Sequence, residues 1–313
     1  MSFSLTILGS SSAVPTSGRF SAAHALNVHE RYFLIDCGEG AQIQMKRNNI
    51  RFGKLNHIFI SHLHGDHVFG LFGLISTFGL LERTADLHIY ANPKLEKILD
   101  NILKFFFEQP LSYKIIFHPI GSKKQELIYE DEKVTVETIP LKHRIPTCGF
   151  LFREKAPLLN IRKDMIEYHN IPVKEIYNIK CGKDFNKPDG TSIPNKKLTL
   201  PPYKPRSMAY CCDTRYSEGI VKYIKNVDLL YHEATYANNM AKEAREKYHS
   251  TAGEAATAAK KANAGKLIIG HFSPRYKSIL PLVEEARKVF PNTFAAQEGE
   301  VHKVKQTKDK RNQ

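Results

Sequence analysis

Residues 62–67 read His62-Leu63-His64-Gly65-Asp66-His67, four potential metal ligands in six positions. They follow directly on an apolar run, Ile58-Phe59-Ile60-Ser61. Imidazole nitrogens and a carboxylate at this density suit zinc better than calcium or magnesium, which favour all-oxygen sites. A hexapeptide cannot wrap four ligands around one ion. The spacing therefore reads as His62 and His64 on one metal, with Asp66 and His67 on a second close by. Two adjacent metals suit hydrolysis, often of a phosphodiester.

Three later positions extend the set. His143 follows the strand-like run Val134–Pro140, Asp213 closes Ala209-Tyr210-Cys211-Cys212-Asp213, and His271 sits in Gly270-His271-Phe272-Ser273. Taken singly, a histidine after a strand is more often structural or solvated than a ligand. With the hexapeptide upstream, these seven residues make two four-ligand sites if one carboxylate is shared. Asp213 is the natural bridge, because a carboxylate has two oxygens and an imidazole serves one metal at a time.

The elements that must hold these groups follow from hydrophobic patterning. Strands are expected over Leu5–Leu8, Tyr32–Ile35, Asn56–Ile60, Leu87–Tyr90, Lys114–Phe117, Val134–Ile139, Met208–Cys212, Val227–Tyr231, Lys266–Ile269 and Thr293–Ala296. Helices are expected over Ala41–Asn48, Val68–Phe78, Lys94–Phe105, Glu218–Ile224, Asn238–Lys247, Thr251–Ala262 and Ile279–Phe290. Thr251-Ala252-Gly253-Glu254 has the form of a capping box, which leaves His249 on the turn before that helix. Strands precede helices in both halves, so an α/β sandwich is expected. The ligand candidates repeatedly follow strands, and strand ends along one sheet edge make a rigid platform.

Composition bounds the rest. A chain of 313 residues with 42% hydrophobic content can bury a large core. Five cysteines, with no Cys-x-x-Cys pair, suit a reducing cytoplasm rather than a disulfide framework. No run of eighteen apolar residues occurs, and the start Met1-Ser2-Phe3-Ser4 lacks a basic, apolar leader. A cytoplasmic location is therefore expected. The net charge of +14 favours an anionic partner, with nucleic acid the first candidate.

Residues 153–206 break the alternating pattern. They hold twelve basic and six acidic residues and are punctuated by prolines. The reading is an inserted basic arm that contacts RNA, with a short helix around Lys163–His169. The tail Lys303–Gln313, with five basic residues and one acid, is expected to be disordered.

The hexapeptide resembles the signature of the metallo-β-lactamase superfamily, and the chain as a whole is similar to its ribonuclease Z family. The opening Leu8-Gly9-Ser10-Ser11-Ser12-Ala13-Val14-Pro15-Thr16 resembles that family's first motif, and Phe33-Leu34-Ile35-Asp36-Cys37-Gly38-Glu39-Gly40 its second strand and turn. Tyr231-His232-Glu233-Ala234-Thr235 and His249-Ser250-Thr251 are similar to motifs of this branch. The resemblance implies a four-layer αββα sandwich with an inserted flexible arm and a site at one edge. It implies two Zn²⁺ per subunit: His62, His64 and His143 on the first, Asp66, His67 and His271 on the second, Asp213 between them. A hydroxide between the ions would attack the scissile phosphorus, oriented by Asp66. His249, aimed by Glu233, would protonate the leaving 3′ oxygen. The substrate would be precursor tRNA, cut to leave a 3′ hydroxyl on the tRNA and a 5′ phosphate on the trailer. A homodimer is implied, one subunit's arm holding the tRNA that the other cuts. The arm itself lacks the family's glycine- and proline-rich core, reading Asn170-Ile171-Pro172-Val173-Lys174-Glu175-Ile176 instead, so its contact residues are not individually assigned.

Ser273 and the Ser10–Ser12 loop are further candidates for hydrogen bonds to the substrate phosphate. Two other readings compete. One is a different hydrolase of the same superfamily, a phosphodiesterase or arylsulfatase. The other is a non-catalytic RNA-binding protein, against which the full ligand set argues.

Overall fold

The computed structural model describes residues 2–107 and 109–307. Two seven-stranded mixed sheets form the centre of the first of two compact units, which comprises Met1–Arg153 and Ser207–Val304. The first sheet runs in the order Val301–Lys303, Phe3–Gly9, Ala23–Val28, Arg31–Cys37, Leu55–Phe59, Leu87–Ala91, Ile115–Pro119. The second runs Thr293–Ala295, Leu267–Gly270, Leu229–Glu233, Ser207–Cys211, Cys148–Glu154, Val134–Pro140, Leu127–Glu130.

The two sheets share a core of alternate inward residues. Phe33 and Phe59 from the first meet Phe150 and Phe152 from the second, with ring centroids 5.5–5.6 Å apart. Truncating one such buried ring to alanine costs about 3–5 kcal/mol. The outer faces are covered by helices. Gly65–Leu80 and Lys94–Phe106 pack Leu71, Leu74, Ile75, Leu95 and Leu99 onto the first sheet. Ala252–Lys261 and Leu280–Val289 pack an alanine-rich face with Leu282 and Val283 onto the second. This is the four-layer αββα arrangement.

Several expected elements differ. The strands Ala23–Val28, Leu127–Glu130, Cys148–Glu154 and Val301–Lys303 were not anticipated. The expected helix Glu218–Ile224 shrinks to a single 3₁₀ turn, Glu218–Ile220. Asn238–Lys247 divides into a 3₁₀ turn, Asn238–Met240, and a helix, Ala241–Glu246. The capping box forms as expected: Thr251 Oγ1 accepts from Glu254 N at 3.2 Å, and Glu254 Oε2 accepts from Thr251 N at 2.9 Å.

The second unit comprises Glu154–Arg206 and the chain from Lys305. It has its own small core, with Ile171, Ile179, Phe185, Ile193 and Leu198 buried. Its helices are Lys163–Tyr168, Val173–Lys180 and Asn195–Leu198, joined by two short antiparallel strand pairs. Glu154 and Arg206 meet in a buried ion pair at 2.6 Å. Of the expected disordered tail, Lys303 ends a strand, and residues 308–313 lie outside the described residues.

Candidate metal centre

The apolar strand Leu55–Phe59 delivers the hexapeptide to the sheet edge. Helix Gly65–Leu80 then starts three residues earlier than expected, so Asp66 and His67 occupy its first turn. That turn packs tightly on the preceding loop. A Cβ at Gly38 would meet Asp66 O at 2.3 Å, and one at Gly70 would meet Gly38 O at 2.1 Å, so only glycine fits either position.

The structure brings all seven expected ligands together as two clusters joined by Asp213. In the first, Asp213 Oδ2 lies 3.3 Å from His62 Nε2, 3.9 Å from His64 Nδ1 and 3.5 Å from His143 Nε2. His64 Nδ1 is 2.9 Å from His62 Nε2 and 3.3 Å from His143 Nε2. In the second, Asp213 Oδ1 lies 3.4 Å from His67 Nε2 and 3.1 Å from His271 Nε2. Asp66 Oδ2 is 3.6 Å and 3.4 Å from the same two nitrogens. Ligands about 2.0–2.1 Å from a tetrahedral zinc stand about 3.3 Å from one another, which matches these spacings.

Outer hydrogen bonds occupy Nδ1 of four of the five rings. His67 Nδ1 faces Asp36 Oδ2 at 2.7 Å, and His143 Nδ1 faces the Tyr248 carbonyl at 3.1 Å. Both partners only accept, so each Nδ1 is the donor. Ser61 Oγ donates to Asp36, so it accepts from His62 Nδ1 at 3.0 Å. Thr235 Oγ1 donates to Glu233, so it accepts from His271 Nδ1 at 3.1 Å. With each Nδ1 so occupied, the Nε2 atoms of His62, His67, His143 and His271 are the nitrogens turned toward the carboxylate oxygens. An outer acceptor on Nδ1 with Nε2 turned inward is the second-sphere pattern of histidine metal sites. Asp213 and His271 also hold left-handed backbone conformations, φ 57° and 58°, strained for non-glycine residues.

Asp36, in the turn motif Phe33–Gly40, is a hub beneath the second cluster. Fully buried with φ 56°, it accepts from Ser61 N at 2.7 Å, Ser61 Oγ at 2.9 Å and Tyr210 Oη at 2.7 Å besides holding His67. Burial alone would raise its pKa, but His67 and these donors outweigh that and keep it ionised. Its one sequence signal is an acid closing the apolar strand Arg31–Cys37. Cys212 also borders the second cluster; burial pushes its thiol far up, so it stays protonated and donates to Asp213 Oδ1 at 3.4 Å.

Glu233 and His249 lie against the second cluster. Fully buried Glu233 accepts from Thr214 N at 2.7 Å, Thr235 Oγ1 at 2.6 Å, Ser250 N at 3.1 Å and His249 Nδ1 at 2.9 Å. Burial would lower the His249 pKa, but the Glu233 charge and hydrogen bond override it and raise the pKa to about 9. With Nδ1 bound to Glu233, Nε2 is the nitrogen left for the cleft.

The cleft holds about 530 Å³ and is lined by Asp66, Asp213, His64, His249 and His271, with Ser12, Glu39, Phe69 and Arg144 around them. Ser273 Oγ accepts from Arg275 Nε at 3.1 Å, which leaves its own O–H free to donate. Ser10 Oγ is taken by Glu298 at 2.9 Å, leaving Ser12 as the serine of that loop on the cleft wall. A groove of equal volume beside Leu99, Leu103 and Phe107 has no such cluster of histidines, so size does not locate the chemistry.

Comparison with known proteins agrees with this geometry. The chain is 51% identical over 296 residues to Ribonuclease Z of Phocaeicola vulgatus, covering 95% of this chain and 96% of the relative. Ribonuclease Z of Porphyromonas gingivalis strain W83 is 46% identical over 95% of this chain and 97% of its own. The crystal structure of human tRNase Z, short form, superposes with a TM-score of 0.71 at 25% identity, covering 96% of this chain and 99% of that one. The metallo-β-lactamase fold protein YhfI from Bacillus subtilis shares the fold, with a TM-score of 0.67 at 17% identity over 97% of this chain and 100% of its own. The family described as Anti-Pycsar protein Apyc1 matches residues 3–159. Only the ribonuclease Z relatives named here match at high identity across both halves of the site, from the hexapeptide to His271, and the chain belongs to the ribonuclease Z family.

Proposed function

We propose that this protein is a zinc-dependent endoribonuclease that removes the 3′ trailer from precursor tRNA in the cytoplasm. It leaves a 3′ hydroxyl on the tRNA and a 5′ phosphate on the trailer. The observation that carries the reading is Asp213, whose two oxygens each face a separate set of ligand nitrogens, beside the Glu233–His249 pair. Two zinc ions would be held by His62, His64, His143 and Asp213, and by Asp66, His67, His271 and Asp213. When bound, such ions offset charge on the scissile phosphate and make water acidic enough to attack at neutral pH.

The remaining roles belong to the chain. Asp66 Oδ2 accepts from Ala13 N at 2.8 Å, and its carboxyl is held well below the usual range despite burial, chiefly by His67. An acid that weakly basic serves better to orient the attacking oxygen than to keep its proton. His249, protonated at neutral pH, donates from Nε2 to the departing 3′ oxygen while Glu233 aims the ring.

The basic unit Glu154–Arg206 would grip tRNA away from the cut, in keeping with its excess of lysine and arginine. The active species would be a homodimer. Leu80, Leu81, Phe105 and Phe106 are 60–83% exposed at the ends of two helices, apolar surface of the kind a second copy covers. Among the described residues no helix is long and apolar enough to cross a membrane.

Incubating the protein with a 3′-extended precursor tRNA tests the reading. Cleavage at the trailer, lost with chelator and restored by zinc, is expected. Cleavage of a small phosphodiester with none of precursor tRNA would favour a different hydrolase. Light scattering on the pure protein checks the dimer.

A further inference from the structure

A second hollow, of about 580 Å³, opens beside the metal-ligating cleft. Lys123, Lys142, Arg144 and Lys222 line it, with Tyr223 and Ile145 among its apolar groups. No carboxylate is among its lining residues. All four cations are exposed, and among the described residues none of them has an acidic partner. The neighbouring acids are engaged elsewhere: Glu126 pairs with Lys124 at 3.0 Å, and Glu218 pairs with Lys261 and accepts from Tyr216 at 2.9 Å. Lys222 Nζ lies 4.7 Å from the centre of the Tyr223 ring, which keeps an ammonium group at the groove wall.

The groove is continuous with the cleft through two adjacent residues. Arg144 lines both hollows. His143 lines the groove and presents Nε2 to Asp213 in the first cluster, 3.5 Å away. Four like charges in one hollow repel one another, and their field concentrates a polyanion there.

We infer that this groove binds the single-stranded RNA on the 3′ side of the cut, the trailer, by its phosphates and unpaired bases. The inference rests on the reading of the metal centre as an RNA-cutting site. Cations alone would also suit the paired acceptor stem. A paired stem, however, keeps its bases stacked inside and offers only backbone to a concave wall. A basic groove with an aromatic and apolar lining matches unpaired strand, whose bases can enter it.

The test uses the metal-loaded full chain and a triple variant, Lys123→Gln, Lys142→Gln and Lys222→Gln. Arg144 is kept because it also faces the cleft. Two substrates are compared, precursor tRNA with a one-nucleotide trailer and with a long one. Binding of a short fluorescent single-stranded RNA is measured alongside, with metal content and melting temperature as controls on folding. The variant should raise KM for the long-trailer substrate by about tenfold and leave KM for the short one and both kcat values unchanged. It should weaken oligonucleotide binding similarly, and the slope of log affinity against log salt should fall by about two for three lost phosphate contacts. Unchanged oligonucleotide affinity and unchanged long-trailer KM overturn the inference. An equal rise in KM for both substrates also overturns it, assigning the groove to the tRNA body. If the unaltered protein cuts no precursor tRNA but the variant still loses oligonucleotide affinity, the groove stands as a single-strand site and the tRNA reading fails.

Discussion

His249 Nδ1 lies 2.9 Å from Glu233 Oε1; Glu233 is fully buried, whereas the mostly buried His249 reaches the wall of the cleft. A carboxylate without access to water is stable only when its oxygens are satisfied. Thr214 N, Ser250 N and Thr235 Oγ1 complete that shell. The charge so fixed has one titratable partner, and that partner lines the cleft.

Replacing His249 by alanine should therefore keep both metals and lower kcat by about 10²–10⁴-fold. Glu233→Gln should fall in the same range, because burial without the carboxylate drives the His249 proton off near pH 7. A substrate with sulfur in place of the bridging 3′ oxygen needs no proton on departure. The His249→Ala protein should cut it nearly as fast as the parent does. Full activity of metal-replete His249→Ala on ordinary precursor would remove His249 from the mechanism.

Asp36→Asn isolates the charge of the hub beneath the metal centre. Asparagine tolerates the left-handed backbone at this position, so conformational strain is not the variable. All four groups around Asp36 donate, three of them to Oδ2. Either orientation of the amide sets an N–H against a donor, at a cost of about 1–3 kcal/mol per unsatisfied buried group. His67 also loses the acceptor that orients it. Metal affinity should drop by about 10–100-fold, with the second site emptying first in a competitive chelator titration. Equal loss at both sites would mean that Asp36 supports the fold rather than His67.

The contrast between the hexapeptide and Asp36 shows what was legible in the chain. His62, His64, Asp66 and His67 stand out because they are neighbours in sequence. The partners of Asp36 lie 25, 31 and 174 residues away, so nothing local marks it as more than a strand-end acid. Thr235 is similar: it ties Glu233 to His271 across two strands that pair in parallel. The strand Ala23–Val28 carries little local strand signal, because alanine and asparagine are poor strand formers. It forms because Phe3–Gly9 and Arg31–Cys37 flank it on both sides. At Glu218–Ile224 the apolar spacing is real, since Ile220, Ile224 and Val227 are all buried. Turns rather than a helix satisfy that spacing.

Buried His24 and partly buried His57 set an acid limit on stability. His24 has neither ring nitrogen hydrogen-bonded among the described residues, and burial pushes its pKa down to about 3. Burial, then the charges of His88 and His118, push His57 down to about 4. Both groups have folded pKa values below the unfolded value of about 6.5, so the folded state takes up fewer protons. Their contribution is complete above pH of about 6.5 and is lost as pH falls toward the folded values. His57 packs among Phe33, Tyr90 and Tyr129, so phenylalanine fits its site. In urea unfolding series between about pH 4 and 7.5, His57→Phe should show a shallower loss of stability than the parent. Parallel curves across that window would rule out His57 as a source of the acid sensitivity.

Excising the basic unit separates the cutting site from the proposed tRNA grip. In the second sheet, Arg153 and Ser207 are direct cross-strand partners, so the unit leaves and returns at adjacent positions. Residues 154–206 carry their own apolar core and depend on Ile171, Ile179, Phe185 and Leu198 for it. A short glycine-containing turn joining Arg153 to Ser207 can close that hairpin without strain. It also removes Glu154 and Arg206 together, so neither charge is left buried alone. The shortened protein should keep its metals and hydrolyse a small activated phosphodiester at the parental rate. Its KM for precursor tRNA should rise by about 10²–10³-fold, with a weaker salt dependence, because the lost contacts are to phosphate. An unchanged KM would show that tRNA is held by other surfaces, and loss of small-substrate hydrolysis with metals retained would show that the unit shapes the site itself.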